Sequence, residues 1–148
     1  MTIRPDHGRA AQVHSGKAER ARRGKAEQAR RGQAAQALGV MAEQAACEAL
    51  ERENWIVLAR RLRNPAGEID IVAERDGLLA FIEVKARPDL HSAAVALGPR
   101  QRARLLAAGE AALAEHPEWG RAGVRFDVLL VDGAGRVRRI ADAFRLEA

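Results

Sequence analysis

The chain has 148 residues, of which 47% are hydrophobic and 30% charged, and its formal net charge is +5. That length fits one compact domain with a tail and excludes a multidomain machine. Its apolar runs are far shorter than the roughly 20 residues that cross a bilayer, and Met1–Val13 lacks an apolar signal segment, so we expect a cytoplasmic protein with no membrane partner. The single cysteine, Cys47, excludes an internal disulfide and a thiolate zinc site.

A basic repeat of eight residues fills the N-terminal segment, in copies that begin at Gly16, Gly24 and, degraded, Gly32. Residues 1–38 hold nine Lys and Arg against three Asp and Glu, and the rest of the chain is near neutral. Because residues 1–31 have almost no large apolar side chains, we expect them to be disordered or a frayed basic helix. Two interpretations stay open: a solvated charge run left by local duplication, or an arm that contacts nucleic-acid phosphates.

The remainder of the chain alternates between helical and extended patterns. The spacing of apolar residues predicts a helix at 33–53, strands at 55–62, 68–73 and 78–84, a helix from Pro99 to about Glu115 after a loop, and strands at 124–131 and 137–140. Short turns join antiparallel neighbours, and a helical crossover adds a further strand. This order, α-β-β-β-α-β-β, predicts an α/β layer protein with a flexible tail at 1–36 and one α/β domain at 37–148.

Three- and four-residue spacing also predicts which side of each helix faces the core. For the first helix the predicted inner residues are Ala35, Leu38, Ala42, Ala45, Ala46, Ala49 and Leu50. For the second they are Ala103, Leu106, Ala107, Gly109, Glu110 and Leu113.

Two carboxylates and a lysine lie on neighbouring predicted strands. Glu83 and Lys85 share one face of their strand, and a plausible register across the turn at 75–77 brings Asp70 beside Glu83, with Lys85 nearby. Like charges so close repel one another, which favours a hard, oxygen-liganded cation such as Mg²⁺ or Mn²⁺ between them. The lysine would then orient or activate a water, or neutralise charge on a phosphate.

A third acid, Glu43, comes from the first helix. It precedes Ala46 by three residues and Leu50 by seven, so it should point inward with them. The alternative for an isolated Glu-X-Lys is a solvent-facing pair on a half-exposed strand. Three acids and a lysine within otherwise apolar elements favour a site instead.

Five motifs carry a resemblance to a known family: Gly39-Val-Met-Ala-Glu43, Gly67-Glu-Ile-Asp70-Ile-Val-Ala, Phe81-Ile-Glu-Val-Lys85-Ala-Arg87, Gly98-Pro-Arg-Gln-Arg-Ala-Arg104 and Arg125-Phe-Asp127-Val. Over about residues 37–145 the chain resembles the YraN-like family of uncharacterised bacterial proteins, which itself resembles Holliday-junction resolvases and other PD-(D/E)XK nucleases. Ile69 stands where the superfamily name has Pro. The resemblance implies a restriction-endonuclease-like core (α-β-β-β-α-β), with a mixed sheet flanked by helices.

The resemblance also implies roles for particular residues. Asp70 and Glu83 would bind the metal, Lys85 would be the catalytic lysine, and Glu43 would complete the catalytic and metal-binding set. The implied function is a Mg²⁺- or Mn²⁺-dependent endonuclease that hydrolyses phosphodiester bonds, with DNA, branched DNA included, favoured over RNA. The alternative is a nucleic-acid-binding or scaffold protein that keeps the fold without catalysis, and a homodimer is left open.

Three arginines and a glutamine near this site are candidates for nucleic-acid binding. They are Arg87, Arg100, Gln101 and Arg104, the last three at the start of the second helix, where a helix N-terminus also favours anionic oxygens. A solvated helix face is the alternative. Asp127 interrupts an apolar strand, and the sequence leaves open whether it braces an arginine or ends the strand.

Overall fold

The computed structural model describes residues 8–88 and 97–144, with side chains described at 16–88 and 97–140. Its elements are α1 (Gly8–Arg52), β1 (Ile56–Asn64), β2 (Gly67–Arg75), β3 (Leu78–Ala86), α2 (Pro99–Glu115), β4 (Gly123–Val131) and β5 (Val137–Phe144). The chain divides into two compact units, Met1–Ala37 and Leu38–Ala148. Within the described residues, neither helix combines the length and the apolarity that a membrane span needs.

The five strands form one mixed sheet in the order β1-β2-β3-β4-β5. Strands β1, β2 and β3 are antiparallel neighbours, β4 runs parallel to β3, and β5 is antiparallel to β4. The parallel step needs a crossover, and helix α2 lies between β3 and β4 in the chain. The predicted α/β class, with an antiparallel meander and a mixed sheet flanked by helices, is confirmed.

The hydrophobic core lies on both faces of this sheet. Successive strand residues point to opposite faces, so Ile82 joins the cluster that includes Leu50 of α1, whereas Phe81 joins the cluster that includes Leu105 of α2. Helix α2 approaches its face closely at Gly109, where an added Cβ would lie 3.0 Å from the ring of Phe126. The sheet is therefore held between the two helices of its own domain.

The structure differs from the prediction in the extent of α1. The helix begins at Gly8 rather than at residue 33. Of the two forms expected for residues 1–31, disordered or helical, the described residues 8–31 adopt the helical one. Ala, Arg, Lys, Glu and Gln dominate this stretch and are strong helix formers, so the helix continues without an apolar face. Residues 17–41 are exposed throughout. The predicted loop residues 89–96 lie outside the described part of the chain.

The predicted inner faces of both helices were partly wrong. In α1, Ala35 and Leu38 are exposed, and the buried residues of this helix are Ala42, Glu43, Ala46, Cys47 and Leu50. In α2, Ala103, Ala107 and Glu110 are exposed, and the buried residues are Leu105, Ala108, Gly109 and Ala112. An alanine-rich helix offers several apolar stripes, and contact with the sheet selects one of them.

Asp127 braces arginines, which resolves the alternatives that the sequence left open. Its side chain is fully buried, and Oδ2 lies 3.0 Å from Nη2 of Arg125 and 4.0 Å from Nε of Arg139. Both guanidinium groups, with that of Arg75, also lie 4.7 to 5.2 Å from the centre of the Trp55 ring. Cation–π contacts and ion pairs thus join β2, β4 and β5 to the segment after α1.

Candidate active site

The hairpin of β2 and β3 places the two central carboxylates side by side. The pairing of the strands ends at Ile71 and Ile82, and Asp70 and Glu83 are the next residue on each strand; their side chains interact with one another, as the predicted register requires. Beyond this point the backbone N–H of Val84 donates a 2.8 Å hydrogen bond to Oδ2 of Asp70. The Asp70 carboxylate of β2 thus binds the backbone of β3.

The Asp70 carboxyl is in an environment that disfavours its charge. Burial raises its pKa from 3.8 to about 7, aided by the negative charge of Glu83, a hydrogen bond with Glu83 and the charge of Glu43, while the Val84 N–H acts in the opposite direction. Near neutral pH this carboxyl therefore holds a proton more readily than an ordinary aspartate does. A nearby cation would favour its charged form.

Two donors converge on a single oxygen of Glu83. Nζ of Lys85 lies 3.2 Å from Oε1, and Nε2 of Gln101 donates to the same oxygen at 3.0 Å. Lys85 shares a strand face with Glu83, while Gln101 comes from the first turns of α2, which Pro99 begins. Strand and helix together fix the direction of the Glu83 carboxylate.

Glu43 points inward from α1, as its helical spacing predicts, and is only 7% exposed. Its Oε2 accepts a 3.0 Å hydrogen bond from Nε of Arg61, whose side chain is 49% exposed. Its Oε1 is buried and has no hydrogen-bond partner within the described part of the chain. A buried carboxylate oxygen without a partner is costly, so this atom is suited to a further ligand.

Arg61 is a site residue that the sequence reasoning missed. It lies on β1, at the position opposite Asp70, because Arg60 pairs with Ile71 and Leu62 with Ile69. A signal was available in the sequence, since two consecutive arginines interrupt the apolar alternation of this strand.

The donor set fits a hard divalent cation at Asp70 and Glu83. Carboxylate oxygens are the ligands that Mg²⁺ and Mn²⁺ prefer, and the pKa of Asp70 is raised first by burial and then by the negative charge of Glu83, which a cation would offset. Among residues 16–88 and 97–140, no three His, Cys, Asp or Glu side chains are grouped closely enough to hold a metal ion. Glu43 is paired with Arg61, and among the described residues it does not form a three-carboxylate metal group with Asp70 and Glu83.

The predicted nucleic-acid-binding residues fall into three environments. Arg100 and Arg104 are exposed on α2, and Gln101 contacts Glu83. Arg87 follows β3, where its Nη1 donates to the carbonyl of Ala86. It lines a largely apolar cavity of about 710 Å³, whose lining includes none of the four predicted catalytic residues.

Comparison with known proteins gives a family match. The model of UPF0102, which is described as an uncharacterised protein family, matches residues 42–131. A UPF0102 protein of Granulibacter bethesdensis is 64% identical over 109 residues, which are 74% of this chain and 69% of that protein. UPF0102 proteins of Rhodopseudomonas palustris and Azorhizobium caulinodans are 46% and 49% identical, over 72% and 74% of this chain and 82% and 83% of their own lengths.

Proposed function

The chain belongs to the uncharacterised protein family UPF0102, and from the geometry of its acidic site we propose that it is a metal-dependent endonuclease that binds nucleic acid and hydrolyses phosphodiester bonds. DNA, linear or branched, is the substrate class proposed first, because the sequence resembles Holliday-junction resolvases.

The observation that carries the proposal is the convergence of Asp70, Glu83 and Lys85 at one seam of the sheet. Two carboxylates stand opposite one another, and an ammonium lies 3.2 Å from one of them. A binding protein for a polyanion gains nothing from burying carboxylates beside it, because like charges repel. Metal-dependent phosphodiester hydrolysis, in contrast, uses groups that hold a cation and groups that position a water.

The roles of the residues follow from their chemistry. Asp70 and Glu83 would hold Mg²⁺ or Mn²⁺, and that ion, when bound, supplies Lewis-acid stabilisation of negative charge on a phosphate. Lys85 donates hydrogen bonds and cannot ligate a cation while protonated, so its ammonium group orients the attacking water or offsets charge on the phosphate. Gln101 keeps Oε1 of Glu83 in place by donating to it.

Nucleic-acid binding is supported by charge at two places. Arg100 and Arg104 are exposed on α2, the helix that also supplies Gln101 to the site. The exposed helical residues 17–37 form a second basic region and carry seven of the Lys and Arg of the tail. Both regions can neutralise phosphates and release counterions.

A cleavage panel tests the proposal. Linear, nicked, flapped and four-way-junction DNAs, with a matched RNA, would be incubated with the full chain and Mg²⁺, Mn²⁺ or Ca²⁺. We expect cleavage with Mg²⁺ or Mn²⁺, at least about 100-fold slower in Lys85→Ala, as for loss of one transition-state donor. Titration calorimetry should detect a metal site in the wild type and in Lys85→Ala, and none in Asp70→Asn. Unchanged metal binding by Asp70→Asn would contradict the assignment.

Binding without cleavage is the second candidate function. It is favoured by the fact that no three acidic side chains of the described residues form a metal-binding group. On this alternative the chain binds the same DNAs with a steep salt dependence, and no substrate of the panel is cut with any metal. Lys85→Ala would then change affinity alone.

A further inference from the structure

Two neighbouring arginines of β1 contact the same helix. Nη1 of Arg60 donates to Oε1 of Gln44 at 3.1 Å, and Nε of Arg61 donates to Oε2 of Glu43 at 3.0 Å. Successive side chains of a regular strand point to opposite faces, so only one of the two would be expected to reach α1. The exposure pattern of β1 shows the same irregularity, with Arg60 and Arg61 both exposed in an otherwise alternating strand.

The cause is the backbone of Arg61, whose φ is 49°. This left-handed conformation is unfavourable for a long side chain with a Cβ, and such strained residues cluster at functional sites. The β1–β2 pairing nevertheless continues on both sides of the residue. Within β1 the left-handed backbone is confined to Arg61, opposite Asp70, and its effect is to turn one guanidinium group toward Glu43.

Stability gives only a small reason for this arrangement. The net contribution of the ion pair is small because the arginine side chain is 49% exposed, although removal of Arg61 alone would leave the buried Glu43 without this partner. The left-handed backbone opposes folding. A guanidinium group held against the Glu43 carboxylate, on the strand next to Asp70, is instead suited to an anionic ligand, because its planar fork binds two oxygens of a phosphate.

We propose that Arg61 binds a phosphate group of the nucleic acid beside the Asp70–Glu83 pair, and that its left-handed backbone directs it there. This inference rests on the proposed function. Lys85 contacts Glu83 of the carboxylate pair, and Arg61 contacts Glu43 and so provides a second positive charge. A polyanion that enters an acidic site needs such charges to offset repulsion.

The test separates the guanidinium group from the backbone conformation. Arg61→Gly keeps the left-handed backbone at no steric cost and removes the side chain. Arg60→Ala is the matched control, because Arg60 is the neighbouring exposed arginine but contacts the neutral Gln44. Full-length variants would be titrated with labelled duplex and four-way-junction DNA in Ca²⁺, between about 50 and 200 mM salt, the range over which loss of phosphate contacts changes affinity measurably. Thermal melts of the same variants would be recorded without DNA.

Arg61→Gly should bind roughly tenfold more weakly at 0.1 M salt, with a salt-dependence slope smaller by about one, as for loss of one phosphate contact. Arg60→Ala should bind within about twofold of the wild type, and the melts show whether both variants are folded. Inorganic phosphate and a mononucleotide, as competitors, distinguish a nucleic-acid phosphate from a free one. If Arg61→Gly fails to fold, Arg61→Asn, which also tolerates the left-handed region, replaces it.

Equal affinity and equal slope for Arg61→Gly and the wild type, with a lower melting temperature for the variant, would show that Arg61 is structural and overturn the inference. That result leaves the proposed function standing if the wild type binds and cuts DNA. A wild type that binds neither DNA nor RNA would overturn both, so the two failures are distinguishable.

Discussion

Gln101 of α2 donates a 3.0 Å hydrogen bond to Oε1 of Glu83 on β3, across 18 positions of the chain. The same oxygen lies 3.2 Å from Nζ of Lys85, so a neutral and a charged donor share it. Gln101 was predicted from the sequence as a nucleic-acid contact, and that role stays a prediction. Its place in the structure suggests an additional one, because donors behind a metal ligand fix its orientation.

We expect Gln101→Leu to weaken metal affinity and the cleavage rate by about 10- to 100-fold, the usual range for loss of such a partner. Titration calorimetry with Mn²⁺ and single-turnover cleavage would measure the two effects, and a thermal melt would show that the fold is intact. Arg100→Ala, an exposed neighbour on α2, serves as control and should reduce DNA affinity without changing metal affinity. Wild-type metal binding by Gln101→Leu would contradict a positioning role.

The raised pKa of Asp70 predicts a pH-dependent stability in the metal-free protein. The folded state binds this proton with a pKa of about 7, against 3.8 ordinarily. Between these values the folded state holds more protons than the unfolded state, so the free energy of unfolding falls as pH rises. Asp70→Asn does not titrate and keeps an oxygen that can accept from Val84, so it should escape this loss.

Denaturant melts in chelator, at intervals from about pH 4.5 to 8.5, would compare Asp70→Asn with the wild type. The two should be similar at the acidic end, and above pH 7 the variant should be more stable by an amount on the order of a few kcal/mol. Asp76→Asn, in the exposed turn between β2 and β3, should show no such pH-dependent difference. A constant difference at every pH would argue against a raised pKa at Asp70.

Glu43→Gln should leave the metal-free protein as stable as the wild type or more so. The amide oxygen can still accept from Arg61, and removal of one charge relieves repulsion with Asp70. Metal affinity or water positioning should weaken, with slower single-turnover cleavage. Thermal melts with and without Mg²⁺ would check both parts. A variant that is clearly destabilised in chelator, yet cuts at the wild-type rate, would mean that this carboxylate is structural.

Deletion of residues 1–31 should weaken nucleic-acid binding and flatten its salt dependence, because this segment carries nine Lys and Arg. An eight-residue repeat advances by about 80° around a helix beyond two full turns. Equivalent basic residues of successive repeats therefore lie on different sides of α1, and we expect contacts that do not depend on one face. Cleavage by the remaining domain should persist at low salt.

A full-length variant separates charge from length in the tail. Replacing Arg20, Arg22, Arg23, Lys25, Arg30 and Arg31 with Gln keeps good helix formers. It should reproduce most of the effect of the deletion on the slope of binding against salt. If both proteins bind with wild-type affinity and slope, the tail is an inert charge run.

Local patterns in the sequence were sufficient for the strands, their order and the acidic pair. Glu-Ile-Asp and Glu-Val-Lys alternate with large apolar residues, and the short turn between β2 and β3 fixes their register. Inward pointing of Glu43 also followed from local spacing, because helix geometry relates it to Ala46 and Leu50 without reference to the rest of the fold.

The tertiary structure selected among alternatives that local sequence patterns leave open. Both helices bury faces that match the predicted ones only in part, because alanine-rich sequences allow several faces and the sheet selects one. The sequence could not settle the role of Asp127, since its arginine partners come from two strands. Arg61 was missed for the same physical reason: one left-handed residue, stabilised by its surroundings, reverses the direction that strand alternation predicts.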